Sequence, residues 1–596
     1  LVNFALELPT TVKELLSLNK YIKKYKFLIL MGILCVILSN FFAIYVPVFV
    51  RQGLDDAYFN SQLFGYSQSN ILYKIIMFNA LGFGIAIVLA SVLKGVFMFF
   101  MRQTLVVASR EIEYDQKNEL FLKYEKLGED FYRQNYTGDL MSRITEDISN
   151  VRMYIGPAIM YFANVLFSFI MIITQMIMVN KHLAFWVIVP LPILSISIYY
   201  VSQKINLGNK KIQEQLSVIT THAQETFSGI RILKSFGAEK YFSKDFNDQG
   251  VEFQNRNLKL AMVNSLFFPL MMLLIGLSTI IVLYVGGREV EKGVFTPGNL
   301  AEFVIYLNML IWPVASLGWT TALVQKASAS QKRINDFLNR EEVDLQDNEV
   351  VLSLSKQIDF NKITHKYIDK TENALTDVSF QISKGEIIGI TGKTGSGKST
   401  LLQLLTKQIQ VQSGQIMIDD QSISSLHLNA YRKLIAYVPQ DVFLFSDTIE
   451  ANITFGVSEY SQEQLDEIIR ITCLDKDIAL FEQGKHTILG ERGVSLSGGQ
   501  KQRVSLARAL MKNSDILILD DCLSAVDAET ESRIIYNLKE VFQNKTVIIT
   551  SHRVAPLQHA NVIFILEKGK IIESGNHEFL ISFGGYYQWL YENQTS

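Results

Sequence analysis

The chain has 596 residues, 49% of them hydrophobic, and a formal net charge of −2 from 56 Lys and Arg against 58 Asp and Glu. A single hydrophobic core stops growing near about 250–300 residues, so at least two domains are required. The near-neutral balance excludes a polycation built for nucleic acid, and the widely spaced Cys35, Cys473 and Cys522 make neither a disulfide framework nor a zinc site.

The apolar excess lies before about Gln325, and nothing before Lys20 has the pattern of a secretory signal. A helix needs about 20 apolar residues to cross a hydrocarbon layer of about 30 Å. Six runs are long enough: 27–50, 72–100, 153–179, 182–202, 262–286 and 297–320. One such run is compatible with a buried core helix, but six together are not. Lys23, Lys24 and Lys26 precede the first run and place the N-terminus on the cytoplasmic side, to which an even number of spans returns the chain. The polar, helix-patterned segments 101–152 and 203–261 are then cytoplasmic extensions, and the connections at 51–71, 180–181 and 287–296 are outer, with Arg51 the cation that makes the first of them less clean.

Two stretches of the extensions carry turn residues, Phe131–Arg143 and Gln224–Lys234, and Gly138 and Gly229 are expected to let the chain reverse there. Lys94 lies near the cytoplasmic end of the second run, with Arg102 two turns on. A lysine so near the interface snorkels, which favours anchoring over a place in a cavity and tilts only weakly toward a lipid headgroup or amphipathic anion as cargo. Side chains such as Phe99, Met160, Tyr161, Phe267, Phe268, Met271 and Met272 face lipid or neighbouring helices, and such residues can also line an adaptable apolar pocket.

Ser328–Leu338 keeps a helical pattern and Asn339–Glu349 reads as a linker, which gives a membrane domain 1–325, a linker 326–350 and a soluble domain 351–596. In the last of these, the β-branched run Ile388–Thr391 enters Gly392-x4-Gly397-Lys398-Ser399, and Leu401–Leu405 continues with helical character. This is the strand–loop–helix setting of a phosphate-binding loop, in which glycines turn backbone N–H groups toward the phosphates at a helix N-terminus. The candidate nucleotide cradle is Gly392, Thr394, Gly395, Ser396 and Gly397 with Lys398, Ser399 and Thr400. Lys398 is expected to reach the β- and γ-phosphates and the Ser399 hydroxyl to ligate Mg²⁺. Ile516–Leu519 is an apolar strand that ends in Asp520, the type of carboxylate that holds Mg²⁺ at the end of a buried strand.

With both elements present, Leu496-Ser497-Gly498-Gly499-Gln500 resembles the signature sequence of ATP-binding cassette (ABC) proteins. The resemblance implies that Ser497, Gly498, Gly499 and Gln500 contact the γ-phosphate of ATP held by an opposite cassette, so that two cassettes must pair. Further positions match in order: Tyr367 stands where an aromatic stacks on adenine, Gln440 in the Q-loop that serves metal and water, Ser524–Asp527 in the D-loop and His552 at the switch histidine. Six spans ahead of one cassette, with Gly490-Glu491-Arg492-Gly493 before the signature, are similar to bacterial half-transporters of the multidrug and lipid exporter type. There the X-loop senses the cytoplasmic coupling helices, which would be the two turn-bearing segments.

The expected fold is therefore a membrane all-α six-helix exporter domain followed by a cytoplasmic α/β P-loop nucleotide-binding domain. The implied ligands are ATP and Mg²⁺, and the implied partners are a second half-transporter, a lipid bilayer and a hydrophobic or amphipathic substrate, either drug-like or lipid, with no nucleic acid. The implied place is the bacterial cytoplasmic (inner) membrane, crossed several times, with the N-terminus and cassette in the cytoplasm. An ATP-gated channel or a regulatory membrane sensor built from the same parts is the alternative.

One position departs from the exporter pattern. Such cassettes place glutamate directly after the Walker B aspartate to polarise the attacking water, and here that place is held by Asp521. Its side chain is one methylene shorter, and a general base must come within about 2.6–3.2 Å of the water. The resemblance implies a slow site in one subunit of a heterodimer; a homodimer in which Asp521 supports hydrolysis stays open.

Overall fold

The computed structural model describes residues 13–67, 70–340, 342, 352–367, 370–490, 493, 496–543 and 545–595. The chain divides into two compact units: Leu1–Lys123 with Thr137–Arg340, and Tyr124–Tyr136 with Glu341–Ser596.

After a short helical segment at Asn19–Lys24, the described residues of the first half run through α1 (Lys26–Ser67), α2 (Asn70–Glu125), α3 (Glu129–Gln134), α4 (Thr137–Val179), α5 (Lys181–Ile188), α6 (Pro190–Ser228), α7 (Ile230–Phe236), α8 (Glu239–Glu291), α9 (Pro297–Met309) and α10 (Ile311–Leu338). Among the described residues, four stretches are long and apolar enough to cross a membrane: Lys26–Gln62, Tyr73–Glu125, Thr137–Val179 and Pro297–Leu338. The other expected spans, 182–202 and 262–286, are also helical, on α5–α6 and α8, and several of their side chains, including Phe267, Phe268 and Met271, lie outside the described residues.

The helix ends have local causes. Asn180 takes an extended backbone and its side chain accepts a hydrogen bond from the Leu183 N–H at 3.0 Å, which ends α4 and starts α5. Of the two expected glycines, only Gly229 interrupts a helix. Gly138 lies inside α4, and the break comes earlier at Asn135, whose φ of −123° and ψ of 126° are extended. Gly229 separates α6 from α7 at φ −91°, whereas the left-handed residue is Gly237 at φ 62°, after which the Ala238 N–H reaches back to the Leu233 carbonyl at 3.2 Å. A left-handed helix cap of this kind favours a residue without a Cβ. Lys94 and Arg102 are exposed on the chain.

Glu302 was not singled out by its sequence setting. It is fully buried on α9, pairs with Arg51 of α1 at 3.2 Å and accepts a hydrogen bond from the Tyr306 hydroxyl at 2.9 Å. One turn away, Asp55 of α1 accepts from the Gly298 N–H and from the Thr296 hydroxyl, both at 2.9 Å, and so caps α9. These contacts fasten α1 to α9. Removing one partner of a buried ion pair leaves the other uncompensated, so Glu302→Gln is expected to destabilise the membrane unit by about 3 kcal/mol. Thermal unfolding in detergent, followed with a thiol-reactive dye because all three cysteines are buried and free, checks this; an unchanged midpoint would show that the pair adds nothing.

Among its described residues the second unit contains two sheets. One is four-stranded and antiparallel in the order β2-β1-β4-β5, from β1 (Gln357–His365), β2 (Leu375–Ser383), β4 (Ser413–Ile418) and β5 (Gln421–Ser422). The other runs β10-β9-β3-β8-β7-β6, from β3 (Ile387–Gly392), β6 (Ile435–Val438), β7 (Ile516–Asp520), β8 (Thr546–Thr550), β9 (Val562–Glu567) and β10 (Lys570–Gly575), parallel except for the edge strand β10. Every residue of β7 is buried, with Ile516 and Ile518 in one core beside Ile388 and Leu401, and Leu517 and Leu519 in the other beside Val504 and Ile534. A strand covered on both faces is what an unbroken apolar run specifies in a parallel sheet.

Candidate active site

The parallel strands β3, β8, β7 and β6 are neighbours, and each delivers one predicted element at its C-terminal edge: the phosphate-binding loop after β3, His552 after β8, Asp520 and Asp521 at the end of β7, and Gln440 after β6. Ligands of open α/β sheets bind at this edge.

The loop from Gly392 to helix α11 (Lys398–Leu405) demands glycine at two points. Gly392 has φ 146° and a Cβ there would lie 2.1 Å from the Leu566 carbonyl; Gly397 has φ 105° and would meet the Ala374 carbonyl at 2.6 Å. Both positions combine left-handed backbone with close approach. The Lys398 ammonium folds back over this loop and donates to the carbonyls of Gly392 at 2.9 Å and Lys393 at 3.3 Å. Burial draws its pKa down, opposed by the charges of Asp521 and Asp520. The buried hydroxyls of Ser396 and Thr391 make no hydrogen bond among the described residues. A buried ammonium, orphaned hydroxyls and a helix N-terminus around one loop suit a polyphosphate. Thr394 and Gly395 are exposed on the rim, and Ser399 is half-buried.

Asp520 is buried, its Oδ1 accepting from the Thr550 hydroxyl at 2.5 Å and its Oδ2 from the Tyr437 hydroxyl at 3.3 Å. Asp521 stands next to it with φ 45°, its N–H donating to the Thr550 carbonyl at 3.0 Å. Neither Thr550 nor Tyr437 is marked by a motif role; the register that pairs β7 with β8 sets Thr550 opposite Asp520. Among the described residues no three His, Cys, Asp or Glu side chains converge on one point. Asp520, the Ser399 hydroxyl and Gln440 each follow or end a strand at this edge and carry the hard oxygen donors that suit Mg²⁺.

Burial and the Lys398 charge hold His552 below its usual value, against the pull of Asp521 and Asp520. A depressed histidine is neutral at pH 7, its contribution is complete above its unfolded value of about 6.5, and that contribution is lost as pH falls through the lower folded value. ATP turnover of the purified protein is therefore expected to be level from pH 8 to 7 and to fall on an acid limb below 6.5; a limb centred above 7 would contradict this placement.

Ser497 caps helix α12 (Gly498–Met511) through a reciprocal box, its N–H donating to Gln500 Oε1 at 2.9 Å and the Gln500 N–H to Ser497 Oγ at 3.3 Å. Behind it, Gln502 accepts from the Ala525 N–H at 2.9 Å and donates to the Ser524 hydroxyl at 3.0 Å, which ties the signature helix to the D-loop. Asp527 caps the next helix by accepting from the Thr530 N–H at 2.9 Å. No hydrogen bond among the described residues joins Ser497–Gln500 to the phosphate-binding loop, and Ser497 and Gly498 are exposed. Of the expected X-loop, Glu491 and Arg492 lie outside the described residues.

Tyr367 bonds through its hydroxyl to Thr400 Oγ1 at 3.0 Å and Gln403 Oε1 at 3.2 Å, so the aromatic is fastened to α11. The guanidinium of Arg133, from α3, lies 4.5 Å from its ring centroid. Gln403 carries no signal in the sequence, and Arg133 falls in the turn-bearing stretch Phe131–Arg143 without any mark of a place beside Tyr367.

Residues 29–314 match the ABC transporter transmembrane region and residues 375–524 the ABC transporter domain. Over 581 residues, 97% of each chain, the sequence is 33% identical to the probable multidrug resistance ABC transporter ATP-binding/permease protein YheI of Bacillus subtilis. The chain belongs to the ABC exporter half-transporters. Other ABC relatives are the multidrug resistance-like ATP-binding protein MdlA of Escherichia coli, 34% identical over 85% of this chain and 86% of that one, and the ATP-dependent lipid A-core flippase of Syntrophus aciditrophicus, 31% identical over 86% and 85%. The fold is shared with a bacterial Atm1-family ABC exporter solved with ATP bound, at a TM-score of 0.78 over 97% of this chain and 100% of that one, with 22% identity. As an ABC exporter, the chain is a multi-pass membrane protein whose cassette binds and hydrolyses ATP to drive export.

Proposed function

We propose that this ABC protein is one half of a heterodimeric exporter that moves hydrophobic or amphipathic compounds, drug-like or lipid, out across the bacterial inner membrane by alternating access. The names of the multidrug and lipid A-core relatives support the substrate class. Pairing is supported by α2, whose apolar window is only 6% buried within the chain and leaves Phe78, Leu81 and Ile85 exposed. Lipid and a second membrane domain are the surfaces that fit it. The exposed signature likewise suits a nucleotide on another cassette.

The observation that carries the heterodimer is the pinned main chain of Asp521. Its N–H is held by Thr550 and its φ is 45°, so the backbone cannot slide forward to make good the missing methylene. In this scheme Lys398 and the loop from Gly392 to Gly397 bind the phosphates, Tyr367 takes the adenine, and Asp521 holds the attacking water, with Gln440 and His552 flanking. Mg²⁺, held by Ser399, Gln440 and Asp520, would neutralise phosphate charge. Ser497–Gln500 serve the partner's site, which does most of the hydrolysis. The segments Phe131–Arg143 and Gln224–Lys234 act as the two coupling helices. ATP drives the change because it binds the closed cassette pair more tightly than the open one; equal affinity would move nothing. The N-terminus and the cassette face the cytoplasm.

The test is transport in inside-out proteoliposomes that hold the chain with its co-purified subunit. ATP-dependent accumulation of a fluorescent amphipathic cation or a labelled lipid against its gradient is expected. Flux that only dissipates a gradient would instead identify the gated channel.

A further inference from the structure

We propose that Arg133 is a positioning residue for the nucleotide base, backing the Tyr367 ring on the face opposite the one that stacks on adenine. The inference rests on the nucleotide site proposed above. In sequence Arg133 lies between α2 and α4, yet residues Tyr124–Tyr136 belong to the same compact unit as the cassette. Helix α3 begins after Gly128 and stops at the extended Asn135, which puts Arg133 in its last turn. From there the guanidinium reaches to 4.5 Å of the Tyr367 centroid.

The other sides of the ring are also held. Its hydroxyl is fastened to Thr400 and Gln403 of the helix that follows the phosphate loop, and the His365 ring meets it edge-on, with centroids 5.1 Å apart and planes at 83°. The ring therefore has a tilt set by the phosphate-binding helix and one face covered by a cation. A guanidinium over an aromatic face is attractive and planar, and its charge stays within reach of an anionic nucleotide stacked on the far face. Base stacking on such a platform is sequence-tolerant and adds to phosphate binding. Arg133 thus connects base recognition to the segment that leaves the membrane helices.

Binding by the full chain in lipid nanodiscs tests this, with ATP and inorganic tripolyphosphate each displacing a fluorescent trinitrophenyl-ATP. Arg133→Ala is expected to weaken ATP about threefold to tenfold, within the range for a partly desolvated cation–π contact. Tripolyphosphate, which lacks the base, should bind as before. Arg133→Lys should fall between, because an ammonium has no planar face. In a Tyr367→Ala background, Arg133→Ala should change nothing further. Three results would overturn the proposal: unchanged ATP affinity, tighter ATP binding, which would make Arg133 a competitor for the stacking face, or equal weakening of ATP and tripolyphosphate, which would make it a general electrostatic or structural residue. Lys398→Ala separates the underlying assumption: if that variant keeps normal affinity for both ligands, the nucleotide site itself is misassigned, whatever Arg133 does.

Discussion

Lys398→Ala is expected to lower the affinity for ATP by at least 100-fold while the chain stays folded. The ammonium sits over the phosphate loop on two carbonyl bonds, from Gly392 and Lys393, and Asp520 and Asp521 supply the opposing charge. Charge-assisted bonds to phosphate are the strong ones, and two of them at about 1.5 kcal/mol each account for the 100-fold loss. Folding changes little, because the substitution also removes a charge that burial disfavours. Equilibrium titration with ATP, paired with a melting curve without nucleotide, separates the two effects. Retained affinity within threefold would remove Lys398 from the site.

Asp521→Glu should raise the Mg-ATP turnover of the isolated chain about 100-fold, the lower end of what a positioned general base contributes. The wild-type carboxylate hangs from a main chain that Thr550 holds in place, so only a longer side chain gains the reach. A modest cost accompanies the change, since aspartate tolerates the left-handed backbone at φ 45° better than glutamate does. Steady-state hydrolysis by wild type, Asp521→Glu and Lys398→Ala decides the matter. A sizeable wild-type rate that is lost in Lys398→Ala and not raised by glutamate would sink the slow-site proposal and leave a homodimer in its place.

Some of the site was legible because its chemistry is local. A loop that cradles phosphate must carry its glycines, lysine and hydroxyl within a few residues, so Gly392–Thr400 announced itself, and the capping geometry of Ser497 and Gln500 is likewise written into consecutive residues. The turns were less legible. Gly138 lies inside a helix, Gly229 does divide two helices but without left-handed backbone, and the residue that needs its left-handed freedom is Gly237. A glycine's presence in the chain does not say which of several nearby glycines the packing will use.

The sequence by itself determined that apolar runs of spanning length precede a strand–loop–helix phosphate cradle, with its signature and Walker B aspartate in order, because each of these is specified by neighbours in the chain. Only the tertiary structure decided what meets across long separations: Arg51 with Glu302, Thr550 with Asp520 and Asp521, Arg133 with Tyr367. Each of those pairs joins residues far apart in the chain, where no periodicity or spacing rule operates. Packing and strand register bring them together, and there an arginine, a threonine and a buried carboxylate acquire roles that no local pattern marks.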